Sequence, residues 1–232
     1  MDYKNARNPY SKELTEHHMT VFDLTHTISE NMPVYPGSEP PKLSVPYTYE
    51  ANGFKETLLH MYSHTGTHMD APAHIFSGGA TLDSFDGSQF VGSALVIDCS
   101  ELKAGEQIGM SFIERVRELA DKADFLIFRT DWDKKWGTDE YFGAYPCISG
   151  ETAEYIAASG KKGVGLDTIG LDPINCAELP LHKKILGQNT IVIVENLCNL
   201  SAVGSGLFTF IAAPLKFENA DGAPVRALAI TG

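Results

Sequence analysis

The chain has 232 residues, of which 43% are hydrophobic and 21% are charged, so it is long enough to bury a sizeable core and is typical of an ordered globular protein. Its formal net charge of −12 disfavours nucleic acid and anionic membranes as partners, because both need a basic surface. The cysteines lie far apart with no CxxC pair, which disfavours a disulfide framework and a thiolate metal site and fits a reducing compartment.

The first 18 residues are polar and show no periodic pattern. We expect them to form a flexible extension, and we place one domain over residues 19–232. The chain shows no basic-then-apolar signal, and no apolar run approaches the roughly 20 residues that span a bilayer. We therefore expect a cytoplasmic protein.

Strand and helix patterns alternate along the domain. Strands are predicted where apolar residues alternate or run together, over residues 20–25, 42–49, 55–63, 92–98, 123–130, 163–167, 190–194, 207–212 and 225–230. Helices are predicted where apolar residues recur every three or four positions, over residues 111–122, 149–159 and 179–187. The alternation predicts a single α/β domain with a mixed sheet.

A proline-rich loop follows the first predicted strand, between Pro33 and Pro41. Loops that are held on a rigid scaffold often carry binding residues, so Tyr35 within this loop is a candidate pocket wall. A loop that simply packs on the surface is the alternative.

One stretch of eleven residues holds three histidines and an aspartate. These residue types supply the nitrogen and oxygen donors that Zn or Mn accepts, and a divalent ion needs several donors that converge from one direction. We therefore predict a metal site in the segment His64-Thr65-Gly66-Thr67-His68-Met69-Asp70-Ala71-Pro72-Ala73-His74.

The spacing of His64 and His68 would suit one face of a helix, but Gly66 between two threonines makes a helix unfavourable. A strand that ends in a glycine turn serves instead. His68 and Asp70 are two positions apart and project to the same side when extended, and the turn at Gly66 lets His64 reach the same point.

Pro72 favours an extended residue before it, which places His74 beyond the ligand set and within reach of the water that an ion would activate. The other histidines of the first half of the domain, His26 and His60, are predicted to be structural, because a single histidine is most often hydrogen-bonded in a core or on a surface.

His182 lies on the helix that precedes the strongest predicted strand, and Glu195 follows that strand directly. The two side chains could therefore meet at one end of the sheet. A position on the exposed face of the helix is the alternative for His182. Four aromatic residues after another predicted strand could line a pocket together with Tyr35, or else form core or dimer interface: Trp132, Trp136, Phe142 and Tyr145.

The segment from His64 to His74 matches the pattern HxGTHxDxPxH at every defined position. In this it resembles the cyclase-like metal-dependent hydrolases, a family that includes bacterial kynurenine formamidase. The resemblance covers about residues 20–230 and continues through Asp23-Leu24-Thr25-His26, Met32-Pro33-Val34-Tyr35-Pro36-Gly37, Arg129-Thr130, Asp167-Thr168, Asp172-Pro173 and Glu195-Asn196-Leu197.

The resemblance implies a swivelling β/β/α domain, usually dimeric, with one or two Zn or Mn ions. The first ion would be held by His64, His68 and Asp70. Asp70 would also bridge to a second ion, completed by His182 and Glu195. His74 would act as general acid and base.

The resemblance further implies hydrolysis of a small aryl amide such as an N-formyl arylamine. Tyr35 stands where the formamidases typically carry a tryptophan that contacts the substrate, so it is the candidate substrate-binding residue. Ring-opening hydrolysis of a cyclic amide of the isatin type is the alternative, and a non-catalytic metal-binding module is a third. The expected partners are a small-molecule amide and a second copy of the chain, with no nucleic acid and no membrane.

Overall fold

A computed structural model describes residues 19–232 of the chain, and the extension predicted over residues 1–18 lies outside this range. Within the range, strands and helices alternate as the sequence predicts. None of the helices in this range is long and apolar enough to cross a bilayer.

The strands of the described residues are β1 (Thr20–Asp23), β2 (Lys42–Tyr47), β3 (Glu56–His60), β4 (His68–Asp70), β5 (Val91–Asp98), β6 (Gln107–Ile108), β7 (Phe125–Arg129), β8 (Cys147–Ile148), β9 (Gly163–Leu166), β10 (Val192–Glu195), β11 (Phe208–Pro214) and β12 (Gly222–Thr231). The α-helices are α1 (Tyr49–Asn52), α2 (Met110–Glu114), α3 (Arg117–Lys122), α4 (Gly150–Ala158) and α5 (Pro180–Leu186). Short 3₁₀ helices connect several of them.

The large sheet is mixed and closes on itself. Its strand order is β1-β12-β11-β5-β7-β9-β10-β4, and β4 also pairs with β12. Strands β5, β7, β9 and β10 run parallel, whereas β4, β11 and β12 join by antiparallel pairing. The result is a barrel-like ring, which the three-residue strand β4 completes.

Successive side chains of the central strands pack alternately into two apolar cores, one on each face of the sheet. In β7, Phe125 and Ile127 pack into one cluster, and Leu126 and Phe128 pack into the other. The second cluster includes buried residues of α2 to α5, so these helices cover that face of the sheet. The first cluster lies on the opposite face. Parallel strands that are buried on both faces explain the continuous apolar runs in the sequence.

Two predicted elements differ from the structure. The helix over residues 111–122 is divided into α2 and α3, because Val116 has φ −128° and ψ 24°, which no α-helix continues through. The strand over residues 55–63 ends at His60 and pairs only with β2. Strands β2 and β3 therefore form a separate hairpin, and the chain passes from it to β4 through irregular backbone.

A buried carboxylate joins the ends of two neighbouring strands. Asp167 follows β9 and is 0% exposed, and it accepts hydrogen bonds from the backbone N–H of Thr130 (2.8 Å) and from its hydroxyl (2.6 Å). Burial nevertheless raises the pKa of Asp167 to about 7. The folded protein thus retains this proton over a range in which an unfolded aspartate, with a pKa near 3.9, has lost it.

Replacing Asp167 by Asn should flatten the pH dependence of stability. Because the folded state binds the extra proton, the contribution of Asp167 to the free energy of unfolding falls as pH rises from about 4 to about 7, by at most about 1.4 kcal/mol per pKa unit. Urea denaturation across this range should show a shallower fall for Asp167→Asn than for the wild type. The exposed-site control Glu114→Gln should keep the wild-type slope. Identical slopes for Asp167→Asn and the wild type would contradict the assignment.

Candidate metal centre

The histidine segment is a turn, a short strand and one helical turn in succession. Gly66 adopts φ 66°, a left-handed conformation that favours glycine, and β4 begins two residues later. Ala71 is extended at φ −94° and ψ 161°, and Pro72 opens the 3₁₀ turn that ends at His74. The predicted glycine turn and the predicted extended residue before Pro72 are both present.

The pairing of β4 sets which side chains meet. His68 lies opposite Glu195 of β10, and Asp70 lies opposite Ile193 on one side and Gly222 of β12 on the other. Side chains of directly paired residues project from the same face of a sheet, so His68, Asp70 and Glu195 converge. Met69 points the other way into the core.

Asp70 is at the centre of the cluster and is 1% exposed. Its Oδ1 lies 2.7 Å from Nδ1 of His64 and 3.3 Å from Nε2 of His68. Its Oδ2 is buried without a hydrogen-bond partner, and Nε2 of His182 lies 3.5 Å from it. A buried carboxylate oxygen without a partner is costly unless a cation binds it.

His182 is buried rather than on the exposed face of its helix. Asp172 accepts hydrogen bonds from the backbone N–H groups of Leu181 and His182, both 2.9 Å, and from Nδ1 of His182 at 2.6 Å. Nε2 of His182 then lies 3.1 Å from Oε1 of Glu195. The structure thus brings His182 and Glu195 together, and Asp172, which sequence reasoning gave no role, orients the imidazole.

A buried hydrogen-bond chain fixes the tautomer of His68. Its Nδ1 donates to the carbonyl of Gly66 at 2.8 Å, which leaves Nε2 as the nitrogen that faces the carboxylates. The amide of Asn196 donates to the same carbonyl at 2.9 Å, and the hydroxyl of Tyr141 donates to Oδ1 of Asn196 at 2.6 Å. Tyr141 is fully buried, so this support is held inside the protein.

His74 lies beside the cluster, and its side chain is 30% exposed. Its ring centroid is 4.0 Å from that of His64, and its Nδ1 is 4.0 Å from Oδ2 of Asp221. Asp221 also faces Nε2 of His64 at 3.1 Å. Sequence reasoning missed Asp221, because an aspartate before a glycine is typical of an ordinary turn.

Gly222 allows this close approach. A Cβ atom added at this position would stand 2.5 Å from the His64 ring, a distance that real Cβ atoms do not adopt. Gly222 therefore leaves room for the His64 ring between Asp70 and Asp221.

The electrostatics of the cluster balance carboxylates against imidazoles. Burial lowers the pKa of His64, but Asp70 and Asp221 outweigh it and raise that pKa to about 10. The hydrogen bond from His64 holds the pKa of Asp221 down at about 2. Burial lowers the pKa of His74. A proton on His64 would thus compete with a metal ion for this site, because histidine must be deprotonated to bind a metal.

The donors form two groups that could hold an ion, and each group brings its ligand atoms within 4.8 Å of one another. One group is His64, Asp70 and His74, and the other is His68, Asp70 and Glu195. Asp70 belongs to both. His74 stands in the first group where the resemblance implies His68, and His182 is in neither group, although its Nε2 lies 3.1 Å from Oε1 of Glu195 and 3.5 Å from Oδ2 of Asp70. The nitrogen and carboxylate donors, together with the unpartnered Oδ2, fit a divalent cation such as Zn or Mn.

A cavity of about 530 Å³ opens above the cluster, within the range of small-molecule sites. Its apolar wall includes Pro33, Val34, Tyr35, Tyr62, Ile169 and Leu179. The Tyr35 hydroxyl donates to the carbonyl of Ile174 at 2.9 Å, which ties the proline-rich loop to the segment before α5. Tyr35 therefore lies on the cavity wall.

The four aromatic residues after β7, Trp132, Trp136, Phe142 and Tyr145, form part of the apolar core and not the wall of this cavity. They pack into a separate cluster. Trp132 and Tyr145 are buried in it, and Trp136 also stacks on His26 with centroids 3.8 Å apart. His26 and His60 both lie outside the cavity lining.

Two sequence comparisons agree with one another. A family model described as "Putative cyclase" matches residues 22–173. A kynurenine formamidase from Bacillus cereus is 31% identical over 207 residues, which cover 89% of this chain and 95% of that protein.

Solved structures share the fold over nearly the whole chain. Isatin hydrolase A from Labrenzia aggregata, bound to benzyl benzoate, superposes with a TM-score of 0.82 at 26% identity, over 92% of this chain and 94% of that one. A protein from Bacillus stearothermophilus described as a "predicted metal-dependent hydrolase" gives 0.75 at 29% identity, over 91% and 98%. The signature segment, the matched family model and the related proteins together establish that the chain belongs to the cyclase family of metal-dependent hydrolases.

Proposed function

We propose that this chain hydrolyses a small aryl amide, such as an N-formyl arylamine. The enzyme is a metal-dependent amidohydrolase that acts on C–N bonds other than peptide bonds. The observation that carries the substrate proposal is the position of Asp70, which both groups of possible ligands share, at the floor of a cavity with an apolar wall.

One or two Zn or Mn ions would be held by His64, His68, Asp70, His182 and Glu195, and Asp70, which faces all three histidines, would be shared between them. A divalent cation bound there would lower the pKa of a bound water molecule from about 15.7 to about 7, and it would polarise the amide carbonyl. The protein holds the ligands in place through Asp172 on His182 and through Gly66 on His68.

His74 is the proposed general acid and base. Its side chain is partly exposed beside the cluster, so both water and substrate can reach its imidazole. It would accept a proton from the attacking water and pass it to the leaving nitrogen of the amide. Asp221 lies on the Nδ1 side of the ring and would favour the protonated form between these two transfers.

Ring-opening hydrolysis of an isatin-type cyclic amide is the second candidate. It is supported by the similarity to isatin hydrolase A, which extends over 92% of this chain. Both reactions break an amide bond next to an aromatic ring, so the same donors and the same cavity could serve either one.

A substrate panel tests the proposal. Purified enzyme with added Zn or Mn should release formate from formanilide, with isatin and N-formylkynurenine as the other members of the panel. Ring opening of isatin with no formamide cleavage would select the second candidate. No turnover of any compound by metal-loaded protein would refute both.

Asp70→Ala and His74→Ala should separate metal binding from proton transfer. Loss of Asp70 removes a shared ligand, so dialysed Asp70→Ala and Asp70→Asn should contain less than one ion per chain by elemental analysis. His74→Ala should keep the wild-type metal content and lose about 10²- to 10⁴-fold in kcat.

Denaturation curves of the same variants would show whether the fold is kept. Wild-type metal content in Asp70→Asn would contradict the ligand assignment, and wild-type kcat in His74→Ala would contradict the acid–base assignment.

A homodimer in the cytoplasm completes the proposal. The four cysteines are free thiols, which is typical of a reducing compartment.

The hairpin of β2 and β3 supports self-association, because Leu58 is 60% exposed and Leu59 is 53% exposed. These neighbours project to opposite faces of β3, so the described residues cover neither face of the hairpin.

Leu58→Glu should therefore shift the sedimentation coefficient from that of two chains to that of one, because a charge in an apolar interface is costly. Leu207→Glu changes an exposed leucine outside the hairpin and should leave the dimer intact. A dimeric Leu58→Glu variant, or a monomeric wild type, would contradict the proposed interface.

A further inference from the structure

Apart from its histidines, which are neutral when they bind a metal, the charged side chains of the cavity lining are all negative. Within residues 19–232 the lining includes no lysine or arginine, and its carboxylates are Asp70, Asp172, Glu195 and Asp221. The first three are buried and face the histidines of the floor. The side chain of Asp221 is 43% exposed, so it is the carboxylate that a ligand in the cavity would meet.

Three neutral side-chain donors of the lining are used within the protein, whereas the hydroxyls of Ser38 and Tyr62 belong to exposed residues. The hydroxyl of Tyr35 donates to the Ile174 carbonyl, so the ring of Tyr35 is what it offers to the cavity. The hydroxyl of Ser63 donates to Asp221, and the amide of Asn196 donates to Gly66.

Such a lining suits an uncharged aromatic ring and opposes a carboxylate. An aryl group gains free energy by leaving water for the apolar wall. A carboxylate in the same place would lose its hydration without a cationic side chain to receive it, and Asp221 would repel it. Two divalent ions would bring four positive charges, which the four carboxylates of the lining would match, and with one ion the lining would keep a net negative charge.

We infer that the site selects aryl amides that are uncharged in the cavity and discriminates against those that carry a carboxylate near the ring. This inference rests on the proposed amide hydrolysis and adds its substrate class. Formanilide and isatin carry no carboxylate, whereas the carboxylate of N-formylkynurenine lies at the end of its side chain, beside an ammonium group.

A matched pair of substrates tests charge alone. 4-Formamidobenzamide and 4-formamidobenzoate have nearly the same shape and the same scissile formamide, and they differ in the charge of the para group. We compare kcat/KM for the two with metal-loaded enzyme, since kcat/KM is insensitive to unproductive binding of the benzoate on the ion. The hydroxide-catalysed rates of the two compounds correct for their intrinsic reactivity. The benzamide should be favoured at least about tenfold.

A charge introduced at the cavity provides the second arm. Ser38 lines the cavity and is exposed, so a longer side chain can be accommodated there. Ser38→Arg should raise the benzoate-to-benzamide ratio of kcat/KM several-fold, and high salt should reduce the gain. Ser38→Gln adds length without charge and should leave this ratio near the wild-type value.

The outcomes separate the inference from the proposed function. Equal or better use of the benzoate by the wild type would overturn the inference while amide hydrolysis stands. An unchanged ratio in Ser38→Arg, or an equal change in Ser38→Gln, would also overturn it. Failure to cleave either compound or formanilide would refute formamide hydrolysis itself.

Discussion

The buried carboxylate of Asp70 is the group on which this site depends. Its oxygens face imidazoles from a turn, from its own strand and from α5, so three separate parts of the chain must be placed correctly around one charge. A charge without partners in that position would strongly destabilise the fold. The surrounding hydrogen bonds, from Asp172 on His182 to Gly66 on His68, follow from that requirement, because each fixes an imidazole that faces the carboxylate.

The position of Asp70 is also the position at which the sheet closes. Strand β4 is paired with β10 and with β12, so the same three residues complete the ring and carry two of the proposed ligands. Rigid strands position side chains more accurately than loops do. His74 lies just after this strand, on a single turn that begins at Pro72, and its side chain keeps the partial exposure that its proposed role in proton transfer requires.

The sequence was informative wherever the signal was local. The spacing of His68 and Asp70 and the turn at Gly66 depend on neighbouring residues, and the apolar runs of β5, β7, β9 and β10 report burial on both faces. The break of the predicted helix at Val116 was not visible, because residues on both sides keep helical periodicity. Asp221 and Tyr141 were missed because their roles depend on contacts with residues far away in the sequence, His64 and Asn196 respectively. The swivelling arrangement implied by resemblance stays a prediction, whereas the large mixed sheet is confirmed.

The pairing of β4 has a consequence for biosynthesis. Asp70 aligns with Ile193 and with Gly222, both far downstream, so the metal centre cannot assemble from the nascent N-terminal half alone. At about 5–20 residues per second, translation would reach β12 about 8 to 30 seconds after β4. During that interval β4 and its histidines have been synthesised, but the strand β12 that closes the ring has not. Competence to bind an ion in the native geometry is therefore acquired only after β12 has been synthesised, together with closure of the ring.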